Sequence, residues 1–489
     1  MSSARKIGLP VAFIGSLLSV LAAAPAAHAV VAGCNQFSST WANRDDDNDG
    51  ICNGADTCPY EPNPDQNPAA CAMAAITVPW VPSNPGYPHS SYSGLSVTLK
   101  GIARYGGNQY MWDFGDGSAP MAWTAISDPY NLGVKHMYFG SAGRLFIATL
   151  SVRSSGNPGV VATATYPVQL QNSTDLTDPN QVDVRANVAI DEGLWYLHTN
   201  LNRGQYGDGA NGWSQRYGYM GGTQTGSCAT LDALALHGSK APVASATDPY
   251  IEDAQRLIVY VLANATPAGI GGKAIGNPDY NGNGIGIYLG GNSTYTDGIC
   301  ASALAAAVSP GLPAPAGNAS WVYRRPMKDV MQDIVEWFAY GQGDAGTWGR
   351  GGWWYSANSG GADGATNQWP ILAMSTAEEN QGIHIPDFVR ANTPYFIAAT
   401  HYLGRDNNNG GWGYTGYDYL NMAKTSAGML AHYFVGDSVS HPEVEAGLGF
   451  LYRHWNDNDG CWNVGMGASY AMYGAMKSMR KPQPNITQI

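Results

Sequence analysis

Cations are scarce in this 489-residue chain: Lys and Arg number 25 against 37 Asp and Glu, and no basic run gathers them. Nucleic acids are held by clustered cations, so a nucleic-acid partner is excluded. Long apolar runs are scarce as well. After Ala24 no stretch reaches the roughly 20 apolar residues of a spanning helix, so no membrane span is expected. Also missing are the patterns that make a catalytic centre legible, since no carboxylate dyad, nucleophile beside a base or metal-ligand cluster stands out. What is present, 44% hydrophobic residues and 15 Trp, is enough for ordinary globular cores, with room for two or three domains.

At the start, Arg5 and Lys6 precede an apolar run from Ile7 to Ala24 and the segment APAAHA, which ends in an A-x-A pattern at Ala27 and Ala29. This reads as an export signal over residues 1–29, giving an extracellular or cell-surface protein that begins at Val30. An alternative is VAGC, Val31 to Cys34, which fits the box before a lipidated cysteine in bacterial lipoproteins; a lipid anchor would then sit on Cys34. Export makes disulfides expected among the seven cysteines. Cys34, Cys52, Cys58 and Cys71 cluster in a segment too small for its own core, and their pairing is open. Cys228 and Cys300 hold aligned positions in TGSCATL and TDGICAS, which favours a bridge or a core role over zinc.

The stretch RDDDNDGICNGADTCP, Arg44 to Pro59, has metal-loop spacing. Counting from Asp45, carboxylates alternate at Asp47 and Asp49, Gly50 permits a sharp turn, Ile51 offers a carbonyl, and Asn53 and Asp56 follow. Oxygen donors in that pattern suit Ca²⁺. An EF-hand would need Glu in the last place and flanking helices, which the prolines of CPYEPNPDQNP forbid. The run instead closely resembles a thrombospondin type 3 repeat over about residues 43 to 68, and the resemblance implies calcium held by Asp45, Asp47, Asp49, Ile51, Asn53 and Asp56. The calcium segment is taken as residues 30–75.

From 76 to 171 short alternating segments such as LSVTLKGIARY and LFIATLSV are separated by turn residues, the language of a small β-sandwich. Within it YMWDFGDGS, Tyr110 to Ser118, is followed by KHMYFGSAGRLFIATLSV, and the pair resembles the signature of a PKD domain. Trp112 and Phe114 should share the inner face, while Asp116 and Gly117 make a tight turn. Asp113 and Asp116 read as turn and strand-end groups.

After a polar linker at 172–183 the period becomes helical over 184–480, leaving 481–489 as a tail. VAIDEGLWYL, EDAQRLIVYVL, VMQDIVEWFAY, ANTPYFIAATHYL and VEAGLGFLYRHW each space apolar residues three and four apart. Each is followed by a Gly-rich aromatic loop, such as GTWGRGGWWY or NNNGGWGY, and then by a helix of smaller residues. Outer helix, loop and inner helix repeat five times, and such hairpins bury their faces only on neighbours. The loops resemble those of prenyltransferase and squalene cyclase repeats, which implies an all-α (α/α) toroid. The resemblance carries no chemistry: the cyclase D-x-D-D acid is missing, and TDGIC departs from the D-x-C of the prenyltransferase zinc site.

Acids near the inner-helix starts are Asp232, Asp297, Asp363 and Asp418, with Glu378 and Glu379 further along; each reads more readily as a cap or solvated acid than as catalytic. Asp297, Asp363 and Asp418 are the first candidates should the domain be an enzyme. Trp213, Trp348, Trp412 and Trp462 are expected to brace the hairpins, Trp353 and Trp354 to contact a sugar, and His401, His432 and His441 to be packing or surface residues. The whole predicts an exported, calcium-binding multidomain protein acting in extracellular binding or surface display, with a glycan or cell-surface protein as partner. The alternative is a polysaccharide lyase or hydrolase with its site in the toroid cavity.

Overall fold

Alternation of apolar and polar residues builds the first half of the computed structural model, which describes residues 43, 50–52, 54–58, 65–67, 72–78, 88–172, 179–208, 213–240, 248–291, 293–457, 469–482 and 485–486. Strands β1 (Ala74–Val78), β3 (Ser96–Arg104) and β6 (Val134–Met137) form one sheet, in the order β1-β3-β6. β2 (His89–Ser91), β4 (Gln109–Asp113), β5 (Thr124–Ala125), β7 (Leu145–Ser154) and β8 (Asn157–Leu170) form the other, in the order β2-β8-β7-β4-β5. Both sheets contribute to one core, including Val97, Leu99, Trp112, Tyr138, Phe146, Leu150 and Tyr166. Trp112 and Phe114 are buried while Asp113 between them is exposed, and the Trp112 indole donates to the Leu132 carbonyl at 2.9 Å. At the tip, Gly117 has φ +90°. Asp116 accepts from the Ser118 amide at 2.9 Å and lies 2.7 Å from His136 Nε2. Against the upward push of desolvation, the hydrogen bonds from Ser118 and His136 hold the Asp116 carboxyl down at about 2.

Ten helices follow among the described residues: α1 (Pro179–Thr199), α2 (Gln224–His237), α3 (Ile251–Ala263), α4 (Thr294–Ala307), α5 (Met327–Gly341), α6 (Gly364–Gln381), α7 (Asp387–Thr400), α8 (Met422–Val435), α9 (Pro442–His454) and α10 (Ser469–Arg480). α1 begins inside the interval read as linker. Two of the Gly-rich loop regions contain hairpins, β9 (Asn202–Asp208) with β10 (Trp213–Tyr219) and β11 (Thr266–Gly269) with β12 (Ile285–Tyr288). The even-numbered helices pack successively, α2 on α4, α4 on α6, α6 on α8 and α8 on α10. Small residues allow the close approach: a Cβ on Gly298 of α4 would lie 2.5 Å from the backbone of Trp369 on α6. Tyr473 of α10 reaches back to Asp232 of α2, Oη to Oδ2 at 3.4 Å. A disulfide joins Cys228 of α2 to Cys300 of α4, with Cα atoms 4.8 Å apart, which settles the open choice for these two residues. Cys52 and Cys58 are disulfide-bonded too.

The sheets are packed directly on the helices. Ile76, Val78 and Ile102 belong to the same apolar core as Leu194 and Leu257. Around it lies a charged seam. His198 of α1 places Nδ1 2.5 Å from Asp253 Oδ2 and Nε2 2.9 Å from the carbonyl of Tyr130. The Tyr130 hydroxyl donates to Glu252 Oε1 at 2.8 Å, and Arg256 donates to the same oxygen at 2.8 Å. Against the cost of desolvation, Arg216 and Arg256 hold the Glu252 carboxyl at about 2.

Candidate functional site

The acids singled out from sequence are occupied by local structure. Asp363 is the N-cap of α6: Oδ1 accepts from the amides of Ala365 at 2.8 Å and Thr366 at 2.7 Å. Burial pushes its carboxyl up from the ordinary value. Asp297, in the first turn of α4, accepts from the amides of Leu289 at 2.8 Å and Gly290 at 2.6 Å, closing the preceding loop onto the helix. It is fully buried, its Oδ2 makes no hydrogen bond, and desolvation pushes its carboxyl up to about 7. Asp418 closes a turn by accepting from Thr415 at 3.0 Å and Gly416 at 2.9 Å. Against desolvation, those amides lower its carboxyl. Glu378 pairs with Arg390 at 2.6 Å, and Glu379 with Lys481. The three first-choice acids are thus a cap, a loop clamp and a turn.

Aromatic side chains make the better-defined surface. Trp348 is 61% exposed and stands edge-on to Trp354 at 5.4 Å. Trp354 meets Tyr355 at 5.5 Å, and Tyr355 meets Tyr295 at 6.2 Å. Tyr295 contacts Trp369 at 5.5 Å, which stacks on Tyr473 at 5.7 Å. A continuous aromatic path therefore leads from the surface of the α5–α6 loop into the centre of the helices. The outer end is fixed by the start of α4: the Thr294 amide donates to the Tyr355 carbonyl at 2.9 Å and its hydroxyl to the carbonyl of Trp354. Tyr414, from the α7–α8 loop, brings its hydroxyl 3.2 Å from that of Tyr355, and Lys424 lies 5.3 Å from the Tyr414 ring. Desolvation lowers the Lys424 ammonium while Asp363 and Asp418 raise it, the net being downward.

Two tryptophans exchange roles relative to expectation. Trp353, expected to touch a sugar, is fully buried and donates its indole N–H to the Phe338 carbonyl at 2.8 Å. Trp348, expected to brace a hairpin, is the exposed one, while Trp412 is buried as a brace should be. Trp213 and Trp462 have side chains outside the described residues. At the opposite ends of the inner helices a cleft of about 430 Å³ is lined by Asp232, Lys240, Ser302, Glu379 and Lys477 among others. The three histidines read as packing or surface residues gather in one corner beside α8. The spacing of His432, Asp437 and His441 was the signal for them, and sequence reading passed over it.

Of the calcium residues, Asp45, Asp47, Asp49 and Asn53 lie outside the described residues. Gly50 has φ +95°, as the sharp turn requires. Asp56 accepts from the Cys58 amide at 2.8 Å through Oδ1, whereas its buried Oδ2 has no partner. An orphaned carboxylate oxygen beside a turn of this kind fits a cation with oxygen ligands. Among the described residues no helix is long and apolar enough to cross a membrane. No family model matches the chain, and no curated protein is detectably similar to it.

Proposed function

We propose that this is an exported, calcium-binding protein of the extracellular space or cell surface, whose helices form an α/α toroid that binds a glycan on its aromatic loops. Calcium held by Asp45, Asp47, Asp49, Asn53, Asp56 and the Ile51 carbonyl stiffens the N-terminal segment ahead of a PKD-like sandwich. The observation that carries the binding reading is the platform of Trp348, Trp354 and Tyr355, with the main chain of Trp354 and Tyr355 anchored to the start of α4. Rigid aromatic faces with a polar rim stack on sugar rings with little conformational cost, and the Tyr355 and Tyr414 hydroxyls supply that rim.

The second reading, a polysaccharide lyase or hydrolase, draws support from the meeting of Tyr355, Tyr414, Lys424 and Asp363 at the same mouth. The Tyr414 hydroxyl is pushed up by desolvation, with Tyr355 and Asp363 adding to the effect, so it stays protonated at neutral pH and has a proton to donate. One experiment separates the two. The full chain is incubated with a panel of acidic and neutral polysaccharides while bound fraction, reducing ends and unsaturated products are followed. Saturable binding without product, weakened about tenfold in Trp348→Ala or Trp354→Ala, supports the platform. Sustained turnover abolished by Tyr414→Phe establishes the enzyme instead. No binding to any member removes the glycan.

A further inference from the structure

The corner where α7, α8 and α9 meet holds three histidines and two carboxylates that the proposed function does not use. His432 lies on the last turn of α8, Gly436 ends that helix at φ +101°, and Asp437 follows. His441 then caps α9, with Glu443 in its first turn. His432 Nδ1 is 2.8 Å from Asp437 Oδ2, and its Nε2 is 3.1 Å from Glu443 Oε2. His401 Nδ1 lies 3.3 Å from the same Glu443 oxygen. One ligand atom from each of His432, Asp437 and His441 falls within 4.8 Å of the others. His432 is 3% exposed and His401 4%, yet His432 Nε2 and both nitrogens of His401 lack a hydrogen bond of acceptable angle.

We propose that His432, Asp437 and His441 bind one divalent transition metal of the Zn²⁺ class at the end of α8, with Glu443 positioning the His432 ring from its far side. The donor set decides the metal: two imidazoles and one carboxylate suit zinc and its neighbours, whereas Ca²⁺ and Mg²⁺ take oxygen shells. The size is right as well. Ligand bonds of about 2.0–2.1 Å around a tetrahedral ion put donors roughly 3.3 Å apart, inside the spread seen here. His432 faces Asp437 with one nitrogen, and its other nitrogen lies 3.1 Å from Glu443 Oε2, within reach of the carboxylate contact that would fix the ring and its tautomer once a metal is bound. His441 Nδ1 has only a 3.4 Å contact from the Glu443 amide to give up.

Helix electrostatics point the same way. Asp437 places a carboxylate just past the C-terminal end of α8, where exposed carbonyls disfavour negative charge. A dication held beside Asp437 offsets that cost. Asp437 and His441 are only half-buried, so the fourth coordination position faces solvent and takes water.

The test uses untagged full-length protein, stripped with a chelator and re-equilibrated in excess Ca²⁺ so that the calcium segment is filled. Equilibrium dialysis against micromolar Zn²⁺, read by elemental analysis, should give one Zn²⁺ per chain. Asp437→Asn and His441→Ala should abolish it, and Glu443→Gln should weaken it by about 10–100-fold, a loss of affinity that mere packing would not produce. Co²⁺ in place of Zn²⁺ should give intense tetrahedral ligand-field bands. Wild-type protein that takes up no Zn²⁺, or takes up Co²⁺ with only the weak bands of an octahedral aquo ion, overturns the proposal. So does unchanged uptake in folded Asp437→Asn and His441→Ala. Where a variant does not fold, the wild-type stoichiometry and Co²⁺ spectrum decide.

Discussion

Replacing Cys228 and Cys300 together by alanine isolates one covalent tie. The bridge closes a loop of 72 residues and joins α2 to α4, two helices whose packing starts the series of inner helices. The chain-entropy relation for a loop of that length gives a stabilisation of about 4 kcal/mol. Both sulfurs are fully buried, so their loss from a packed interior adds roughly 1 kcal/mol more. With a urea dependence of about 3 kcal/mol per molar, the midpoint should fall by more than about 1 M. Mutation is the right perturbation because a reductant would also attack the bonds of Cys52 and Cys58. The assay is urea unfolding of the full chain followed by far-ultraviolet circular dichroism, to which the helices contribute most. A loss under about 1 kcal/mol would refute the reasoning, since it would mean that α2 and α4 are held near each other in the unfolded ensemble without the bond.

Trp353→Ala should cost about 3–5 kcal/mol in the same assay, while Trp348→Ala should stay within about 0.5 kcal/mol, because the first opens a buried cavity and the second sits in solvent. Asp297, with its carboxyl pushed up to about 7 from 3.8, keeps its proton in the folded state after the unfolded chain has lost it. Its contribution is therefore fully present below 3.8 and lost as pH rises through about 7, so Asp297→Asn should flatten the stability–pH curve over that window; an unchanged curve refutes the assignment. Tyr130→Phe removes the hydroxyl shared by Glu252 and Arg256 and should cost about 1.5–3 kcal/mol, with faster hydrogen exchange at the start of α3; exchange that is unaltered there would dismiss the charged seam as a support.

The helices were legible because apolar residues recur three and four apart, and the five quoted segments fall mainly on α1, α3, α5, α7 and α9. The hairpin of β9 and β10 was hidden because its strands carry Arg, Gln, Gly and Tyr with little apolar alternation. Trp353 and Trp354 could not be told apart from sequence: successive residues of an extended segment point to opposite sides, and only packing sets the phase. Glycine decides the fate of Trp348. A Cβ on Gly349 would lie 2.1 Å from the Gly361 carbonyl carbon, so the loop closes backbone on backbone and leaves the neighbouring indole outside. The seam of His198, Glu252, Asp253 and Arg256 also escaped notice, since charged residues at a helix start normally face water, and here Tyr130 of the β5–β6 loop and the backbone of the β9–β10 hairpin meet them. Of the histidine corner, His432 and His441 are near in sequence, whereas His401, the residue after α7, joins them only in the fold.

Helix ends explain why acids such as Asp363 and Asp418 serve the backbone, as their reading as caps expected. An inner helix begins with amides that need acceptors, and three of the starts supply one from a side chain: Thr223 to Gly226 in α2, Asp363 to Ala365 and Thr366 in α6, and Asn421 to Lys424 in α8. A carboxylate at such a place is favoured by capping and by the helix dipole whether or not the protein does chemistry, so its presence carries no information about function. An exposed indole has no such use. Trp348 caps nothing and stands in water on the anchored α5–α6 loop, where the proposed glycan would meet it. The same weighing separates the two ends of α8: Asn421 is fully explained by the amide it accepts from, whereas Asp437 stands where a negative charge is disfavoured and needs a positive one beside it.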